Sequence, residues 1–106
     1  MKAILFILFT LLSAVSFAQN ALYCDEIKRI RTWAHGSDTY NVWFEYKNNP
    51  SSCTGGFYMK TNAINRDFVY SLALSAKAKN ERVCIQANPS ASVIGNRCLL
   101  NYIMHE

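Results

Sequence analysis

The chain has 106 residues, 51% of them hydrophobic, and a formal net charge of +4. This length suits one small domain and excludes a second domain of ordinary size. The weak, scattered positive charge excludes the strongly basic surface of a nucleic-acid-binding domain. One cationic cluster stands out, formed by Lys28, Arg29 and Arg31. We interpret it as the solvated face of a strand, with an anion-binding patch as the alternative.

The first 18 residues have the three-part layout of a secretory signal peptide. Lys2 precedes the apolar run 3–12, and the small residues Ser16 and Ala18 place the predicted cleavage after Ala18. The run is shorter than the roughly 20 residues that span a bilayer, so a spanning helix is the weaker alternative. We expect a signal peptide at 1–18, one domain at 19–106 with a net charge of +3, no stable membrane insertion, and a secreted or periplasmic location.

The four cysteines predict two disulfides. An even number of cysteines behind a signal peptide is typical of a small domain that is oxidised after export. Three pairings are open to Cys24, Cys53, Cys84 and Cys98. A structural zinc site is the weaker interpretation because no Cys-x-x-Cys pair is present. We expect no metal and no other cofactor.

Three strands are predicted before the middle of the chain. Residues 19–22 are read as a loose leader, and 23–34 as a strand with a bulge between Ile27 and Ile30, although a helix fits the same apolar spacing. A turn at 35–38 leads to a strand at 40–47, whose inward face would hold Tyr40, Val42, Phe44 and Tyr46. Trp43 is then a large aromatic residue on the outward, polar face. A loop follows, and residues 57–60 form the third strand.

The segment 65–80 predicts one amphipathic helix. Its apolar residues recur at helical spacing and should face the core: Phe68, Val69, Leu72, Ala73 and Ala76. Asn65 would cap the first turn with its side chain, and Asn80 would end the helix in the left-handed conformation.

Two more strands, 82–86 and 98–104, flank a loop at 87–97. The order is βββαββ, which predicts an α+β fold: a small antiparallel five-stranded sheet or an open barrel with one helix.

Part of the helix and the following strand resembles the B subunit of subtilase cytotoxin. The matching residues are Val69-Tyr70, Ala73-Leu74, Asn80, Val83 and Ile85. Asn49-Pro50-Ser51-Ser52-Cys53 also resembles a segment of small exported bacterial proteins of this layout. The resemblance implies an OB-like barrel, assembled as a pentamer, that binds cell-surface glycans. It transfers no sugar-contacting residue.

The pairing that we predict is Cys53 with Cys98 and Cys24 with Cys84. The first bridge would tie the loop after the second strand to the last strand, and the second would tie the first strand to the strand after the helix. In the chain-entropy model, closing the 45-residue separation between Cys53 and Cys98 contributes roughly 4 kcal/mol.

The residues favour a binding module over an enzyme. His35 and His105 are the only histidines. Ser37 and Asp38 follow His35, but a catalytic Ser-His-Asp set is defined by its geometry, and three neighbours in one turn rarely aim at one reacting atom. The aromatic residues exceed what one small core needs, and exposed rings stack on sugars or anchor protein interfaces. The predicted ligand-binding residues are Trp33, Trp43, Asn49, Ser51 and Tyr58. For Trp43 the alternative is coverage by the helix or a loop.

We therefore expect an exported, non-enzymatic binding module for a cell-surface glycan, with the pentamer as its homo-oligomer. The alternative function is a protein-interaction factor, such as an enzyme inhibitor, that uses the loops 47–54 and 87–97. Nucleic acid is not an expected partner.

Overall fold

The computed structural model describes residues 20–35, 41–90 and 93–106. The predicted signal peptide, residues 36–38 of the predicted turn and the first residue of the predicted second strand lie outside this part of the chain. Its regular elements are β1 (Ala21–Arg31), β2 (Val42–Tyr46), β3 (Gly56–Met59), α1 (Arg66–Lys79), β4 (Arg82–Ala87), β5 (Val93–Ile94) and β6 (Arg97–His105), with a short 3-10 turn at Ser51–Cys53.

Five strands form a ring in the order β1-β2-β3-β6-β4, with β4 returning to β1. Every pairing in the ring is antiparallel except the one between β3 and β6, which is parallel and closes the ring. This arrangement confirms the prediction of an OB-like barrel with one helix. The two-residue β5 is an addition to the predicted order, and it pairs with the start of β6.

Strand β1 belongs to both halves of the barrel because a bulge bends it. Its first six residues pair with β4, and the segment from Ile27 to Arg31 pairs with β2. The register of the second pairing shifts between Ile27 and Arg29. The bulge was therefore predicted in the right place, and the helical alternative is wrong. The predicted loose leader is wrong at Ala21 and Leu22, because their pairing with Ala87 and Gln86 extends β1 toward the N-terminus.

The loop predicted at 87–97 is more ordered than expected. Ala87 ends β4, and β5 and β6 are joined by the two residues Gly95 and Asn96, whose φ angles are 54° and 62°. Positive φ at both positions is the signature of a type I′ hairpin turn, which suits the twist of a β-ribbon. The sequence signal was Gly-Asn between two short apolar runs.

Helix α1 confirms the predicted segment and its end. Asn80 has φ 55° and ψ 37°, and its backbone N–H is directed at the carbonyl oxygens of Ala76 and Lys77. Two details are wrong. The Asn65 side chain makes no capping hydrogen bond, because its ψ of 25° is not the extended conformation of a capping residue. Phe68 is 78% exposed, and the helix residues that pack against the core are Val69, Tyr70, Leu72, Ala73 and Ala76.

The core fills the barrel between the inward faces of its strands and α1, which packs against β1, β4 and β6. Val42, Phe44 and Tyr46 are all buried in it, as the alternation of β2 predicted. Both predicted disulfides are present, Cys24–Cys84 and Cys53–Cys98. Among the described residues no helix has the length and apolar character needed to cross a membrane.

Candidate functional site

Three of the five predicted ligand-binding residues meet on the outer surface of β2 and β3. Trp43 lies opposite Tyr58 in the antiparallel register, so both side chains share one face of the sheet. Their strand neighbours Val42, Phe44, Phe57 and Met59 belong to the core, which places Trp43 and Tyr58 outside the barrel. Trp33, just beyond the end of β1, contacts Trp43 edge-on with a ring-centroid distance of 4.5 Å. We call this surface, with Arg31 and Arg97, the Trp43 face.

Two arginines cover Trp43. The Arg97 guanidinium carbon lies 3.4 Å from the centroid of the indole ring, and that of Arg31 lies 5.6 Å from it. These are cation–π distances. The alternative prediction for Trp43 named the helix or a loop as its cover, whereas among the described residues arginine side chains from β1 and β6 lie over the ring. The ring is not an open platform on which a neutral sugar could stack.

Tyr58 is also enclosed, with 1% of its surface exposed. Burial raises the pKa of its hydroxyl above the ordinary value for tyrosine. In the two ladders of β3, Tyr58 lies between Trp43 of β2 and Leu99 of β6. Its place in the structure is beneath the Trp43 face.

Asn49 and Ser51 lie in the loop between β2 and β3. The Asn49 side-chain oxygen accepts a hydrogen bond from the Tyr46 backbone N–H at 2.8 Å, and its amide donates to the Thr54 carbonyl oxygen at 3.2 Å. Both polar atoms therefore hold the loop in shape. Ser51 is exposed at the start of the 3-10 turn. These two residues belong to the loop and not to the outer strand face.

A cavity of about 300 Å³ opens where the start of α1 meets the end of the barrel. We call it the barrel-end pocket. Buried apolar side chains and rim groups with hydrogen-bonding capacity both contribute to its wall, and the lining residues are Thr32, Val42, Met59, Thr61, Arg66, Asp67 and Tyr70.

The first turn of α1 fixes the polar rim of the barrel-end pocket. Arg66 donates a hydrogen bond from Nη1 to the Thr61 carbonyl oxygen at 2.7 Å, and its Nε lies 3.7 Å from the Asp67 carboxylate. The Asp67 side chain is almost fully exposed, while Tyr70 is half-buried and packs against the core. A cation, a carboxylate and a phenol thus surround one opening above the apolar Val42 and Met59.

Sequence reasoning missed the barrel-end pocket because four separate segments build it. Asp67 has no sequence signal beyond its favourable place at the positive end of a helix, and Tyr70 is named in the sequence analysis only as part of the resemblance to the toxin B subunit. The distance in sequence between Thr32 and Tyr70 leaves no local pattern to read. The surplus of aromatic residues was the one usable signal.

His105 and the Cys24–Cys84 bridge lie outside these two surfaces. His105 Nδ1 lies 3.5 Å from Glu81, on the side of the barrel away from the Trp43 face. Cys24, Cys84 and Glu106 bring potential ligand atoms within 4.8 Å of one another. Both sulfur atoms are joined in a disulfide, however, and a metal prefers the thiolate form.

No protein-family model, curated protein or solved structure matches this chain. The resemblance to toxin B subunits therefore stays a prediction, and the two surfaces described above are the basis for inferring function.

Proposed function

We propose that this protein is an exported, non-enzymatic binding module that holds one sugar ring of a cell-surface glycan in the barrel-end pocket. The observation that carries the proposal is the convergence of Tyr70, Arg66 and Asp67 around an opening with an apolar floor. A few placed polar groups over apolar walls are typical of ligand sites, and the mouths of β-barrels are among their usual locations.

The size of the barrel-end pocket limits the ligand. Its volume of about 300 Å³ lies at the lower end of the range of about 300–1,000 Å³ for small-molecule sites. One sugar ring fits such a space, and an extended oligosaccharide does not. The rest of a glycan would lie outside the opening, in solvent.

The chemistry of the lining suits a hydroxyl-rich ring with apolar C–H faces. The Tyr70 ring offers an apolar surface and a phenolic hydroxyl. The Asp67 carboxylate accepts hydrogen bonds and the Arg66 guanidinium donates them, so neighbouring sugar hydroxyls could be read by both. Because solvent surrounds the Asp67 carboxylate, this group would contribute to affinity only where a ligand replaces the solvent around it.

A glycan array probed with the oxidised protein tests the proposal. Tyr70→Ala should weaken binding to the best sugar at least about tenfold, a change of about 1.4 kcal/mol. The matched control is Tyr102→Ala, at an exposed tyrosine of β6, which should leave binding unchanged. Asp67→Asn gives a second variant at an almost fully exposed side chain, so loss of binding there would not reflect unfolding. An array without any bound sugar would reject the proposal.

A protein-interaction factor is the second candidate, and one observation favours it. Val93 and Ile94, the two residues of the edge strand β5, are 44% and 50% exposed. An exposed edge strand with apolar side chains can pair with another chain. Val93→Ser with Ile94→Ser should abolish capture of a protein partner from host or periplasmic extract, while the Tyr70→Ala variant should retain it. The native mass then tests the pentamer that the resemblance implies.

A further inference from the structure

We propose that the Trp43 face is a second binding site, which holds the oxyanion groups of an acidic saccharide through the guanidinium groups of Arg31 and Arg97. This second site differs from the barrel-end pocket both in its position and in the ligand that it would bind. Val42 and Met59 point into that pocket, whereas their neighbours Trp43 and Tyr58 point out of the barrel. The two sites therefore use opposite faces of β2 and β3.

No carboxylate among the described residues neutralises the charge of Arg31 or Arg97. Arg29 is paired with Glu45 at 3.2 Å, Arg66 with Asp67 at 3.7 Å, and Arg82 with Glu106. Within residues 20–35, 41–90 and 93–106, no carboxylate is paired with Arg31 or Arg97. Within the described part of the chain, the two guanidinium groups without a paired carboxylate are the two that contact Trp43. An anion arriving there would gain attraction without breaking an ion pair.

Arg97 is held in place before any ligand arrives. Its guanidinium lies over the Trp43 indole, and Nη1 donates a hydrogen bond to the Gly95 carbonyl oxygen at 3.1 Å. The carbonyl belongs to the two-residue turn between β5 and β6, whose backbone is fixed by two positive φ angles. Nε is buried without a hydrogen-bond partner. A guanidinium fixed in this way loses little side-chain entropy when it binds an oxyanion.

Arg31 supplies the second cation from a different strand. It lies opposite Trp43 in the β1–β2 register and is exposed to solvent. Two arginines that approach one indole can bind sulfate or carboxylate oxygens from two directions, and charge-assisted hydrogen bonds are roughly twice as strong as neutral ones. The two guanidinium groups therefore suit a ligand with an oxyanion group, and a neutral sugar would gain no charge-assisted hydrogen bond from them.

An acidic saccharide fits this surface better than an acidic peptide does. Trp33 is half-buried and lies against the edge of Trp43, so an aromatic surface adjoins the two cations. An acidic sugar carries its charge directly on a ring with an apolar face, which suits both features at once. The charged group of Asp or Glu sits on a flexible chain and would use the arginines alone.

The test measures binding of the oxidised protein to a sulfated oligosaccharide prepared from heparin and to the same oligosaccharide after desulfation. The sulfated form should bind, and the desulfated form should bind at least tenfold more weakly. Arg31→Gln and Arg97→Gln should each weaken binding of the sulfated form about tenfold. The matched control is Lys28→Gln, which removes one exposed positive charge from the same strand and should change binding less than twofold.

Three results would overturn the inference. The first is an equal loss in Lys28→Gln, since binding would then follow net charge alone. The second is equal competition by poly-glutamate, which would assign the surface to an acidic peptide. The third is a sulfated oligosaccharide that does not bind at physiological salt. Arg97→Lys is the control for misfolding, because it keeps the positive charge and removes only the planar guanidinium. Its affinity for the sulfated form should lie between those of Arg97→Gln and the unchanged protein.

The same variants separate this site from the barrel-end pocket. Tyr70→Ala should leave binding of the sulfated oligosaccharide unchanged, and Arg31→Gln should leave binding of a neutral sugar unchanged. If the glycan array finds no neutral ligand while the sulfated oligosaccharide still binds, the pocket proposal fails and the Trp43 face stands.

Discussion

The two disulfides join the barrel in different ways. Cys53 and Cys98 are fully buried, and they connect the 3-10 turn before β3 to β6. Cys24 and Cys84 face each other across the β1–β4 ladder, and Cys24 is half-exposed. The first bridge is part of the core, and the second reinforces strands that are already paired.

The two bridges also differ in the hydrogen bonds that surround them. Beside Cys24–Cys84, the Tyr46 hydroxyl donates a hydrogen bond to the Tyr23 carbonyl oxygen at 2.7 Å, with the Val83 carbonyl oxygen at 3.4 Å. Arg82 adds a contact to the Cys24 carbonyl oxygen at 3.2 Å. Near Cys53–Cys98, the Gly55 N–H donates a hydrogen bond to the Asn96 carbonyl oxygen at 2.8 Å, and the short parallel β3–β6 ladder begins at the next residue, Gly56. The β1–β4 joint is thus supported by more than its disulfide.

The largest effect is expected from Cys53→Ala with Cys98→Ala. The chain-entropy model gives a loss of about 4 kcal/mol for a 45-residue separation, and removal of two buried sulfur atoms adds a packing cost. That sum is comparable with the whole stability of a small domain, so the variant should be largely unfolded. Circular dichroism with urea titration measures this. A variant that unfolds at the same urea concentration as the unchanged protein would show that this bridge does not stabilise the fold.

The second variant, Cys24→Ala with Cys84→Ala, should remain folded and lose less stability than the first. Loop closure alone predicts the opposite order, because its 60-residue separation is the longer one. We expect burial to decide the order, since Cys53 and Cys98 are both fully enclosed, whereas Cys24 is only partly buried beside the buried Cys84. The urea midpoints of the two variants compare the effects directly. If this variant were the less stable one, loop length would be the controlling factor.

The sequence predicted the order of the strands and the helix because each element rests on local signals, and the two bridges were placed from that order. Alternation in β2, the bulge in β1 and Asn80 at the end of α1 each depend on a few neighbouring residues. Phe68 shows where such reasoning fails. Its four-residue spacing to Leu72 and Ala76 is correct, but the buried stripe of α1 is narrow, and its fully buried residues are Ala73 and Ala76. Phe68 projects past that stripe into solvent.

The candidate sites were less predictable because they depend on distant pairings. Trp43 was singled out correctly as an aromatic residue on an outward face. Its cover by Arg97 follows from the parallel pairing of β3 with β6, which joins segments about 40 residues apart. No local pattern encodes such a pairing, and the barrel-end pocket depends on distant segments in the same way.

Tyr46→Phe should have an intermediate effect on the β1–β4 joint. It removes a hydrogen bond worth about 1 kcal/mol and leaves the Tyr23 carbonyl oxygen without that donor. Burial also raises the pKa of Tyr46 well above the usual value of about 10. Because the folded state holds the proton more tightly, stability present below about pH 10 is lost as the pH rises above it.

Urea titrations at neutral and alkaline pH test the Tyr46 prediction. Tyr46→Phe should lower stability at neutral pH and reduce its fall at alkaline pH, with Tyr58 retaining part of that fall because burial raises its pKa too. Tyr102→Phe, at an exposed site, is the matched control and should follow the unchanged protein. An alkaline fall of the same size in Tyr46→Phe would show that the buried hydroxyl is not its source.

The smallest effect is expected from Arg82→Gln. Its hydrogen bond and ion pair with Glu106 raise the pKa of Arg82, and Asp25 adds to the attraction. The side chain is half-exposed, however, and exposed ion pairs contribute little because water and salt screen them. The shift in urea midpoint should be smaller than that of Tyr46→Phe and should shrink as salt is added. A larger shift that does not depend on salt would mean that Arg82 acts through its contact with the Cys24 carbonyl oxygen. The β1–β4 joint would then depend on this side chain as much as on the backbone pairing of the two strands.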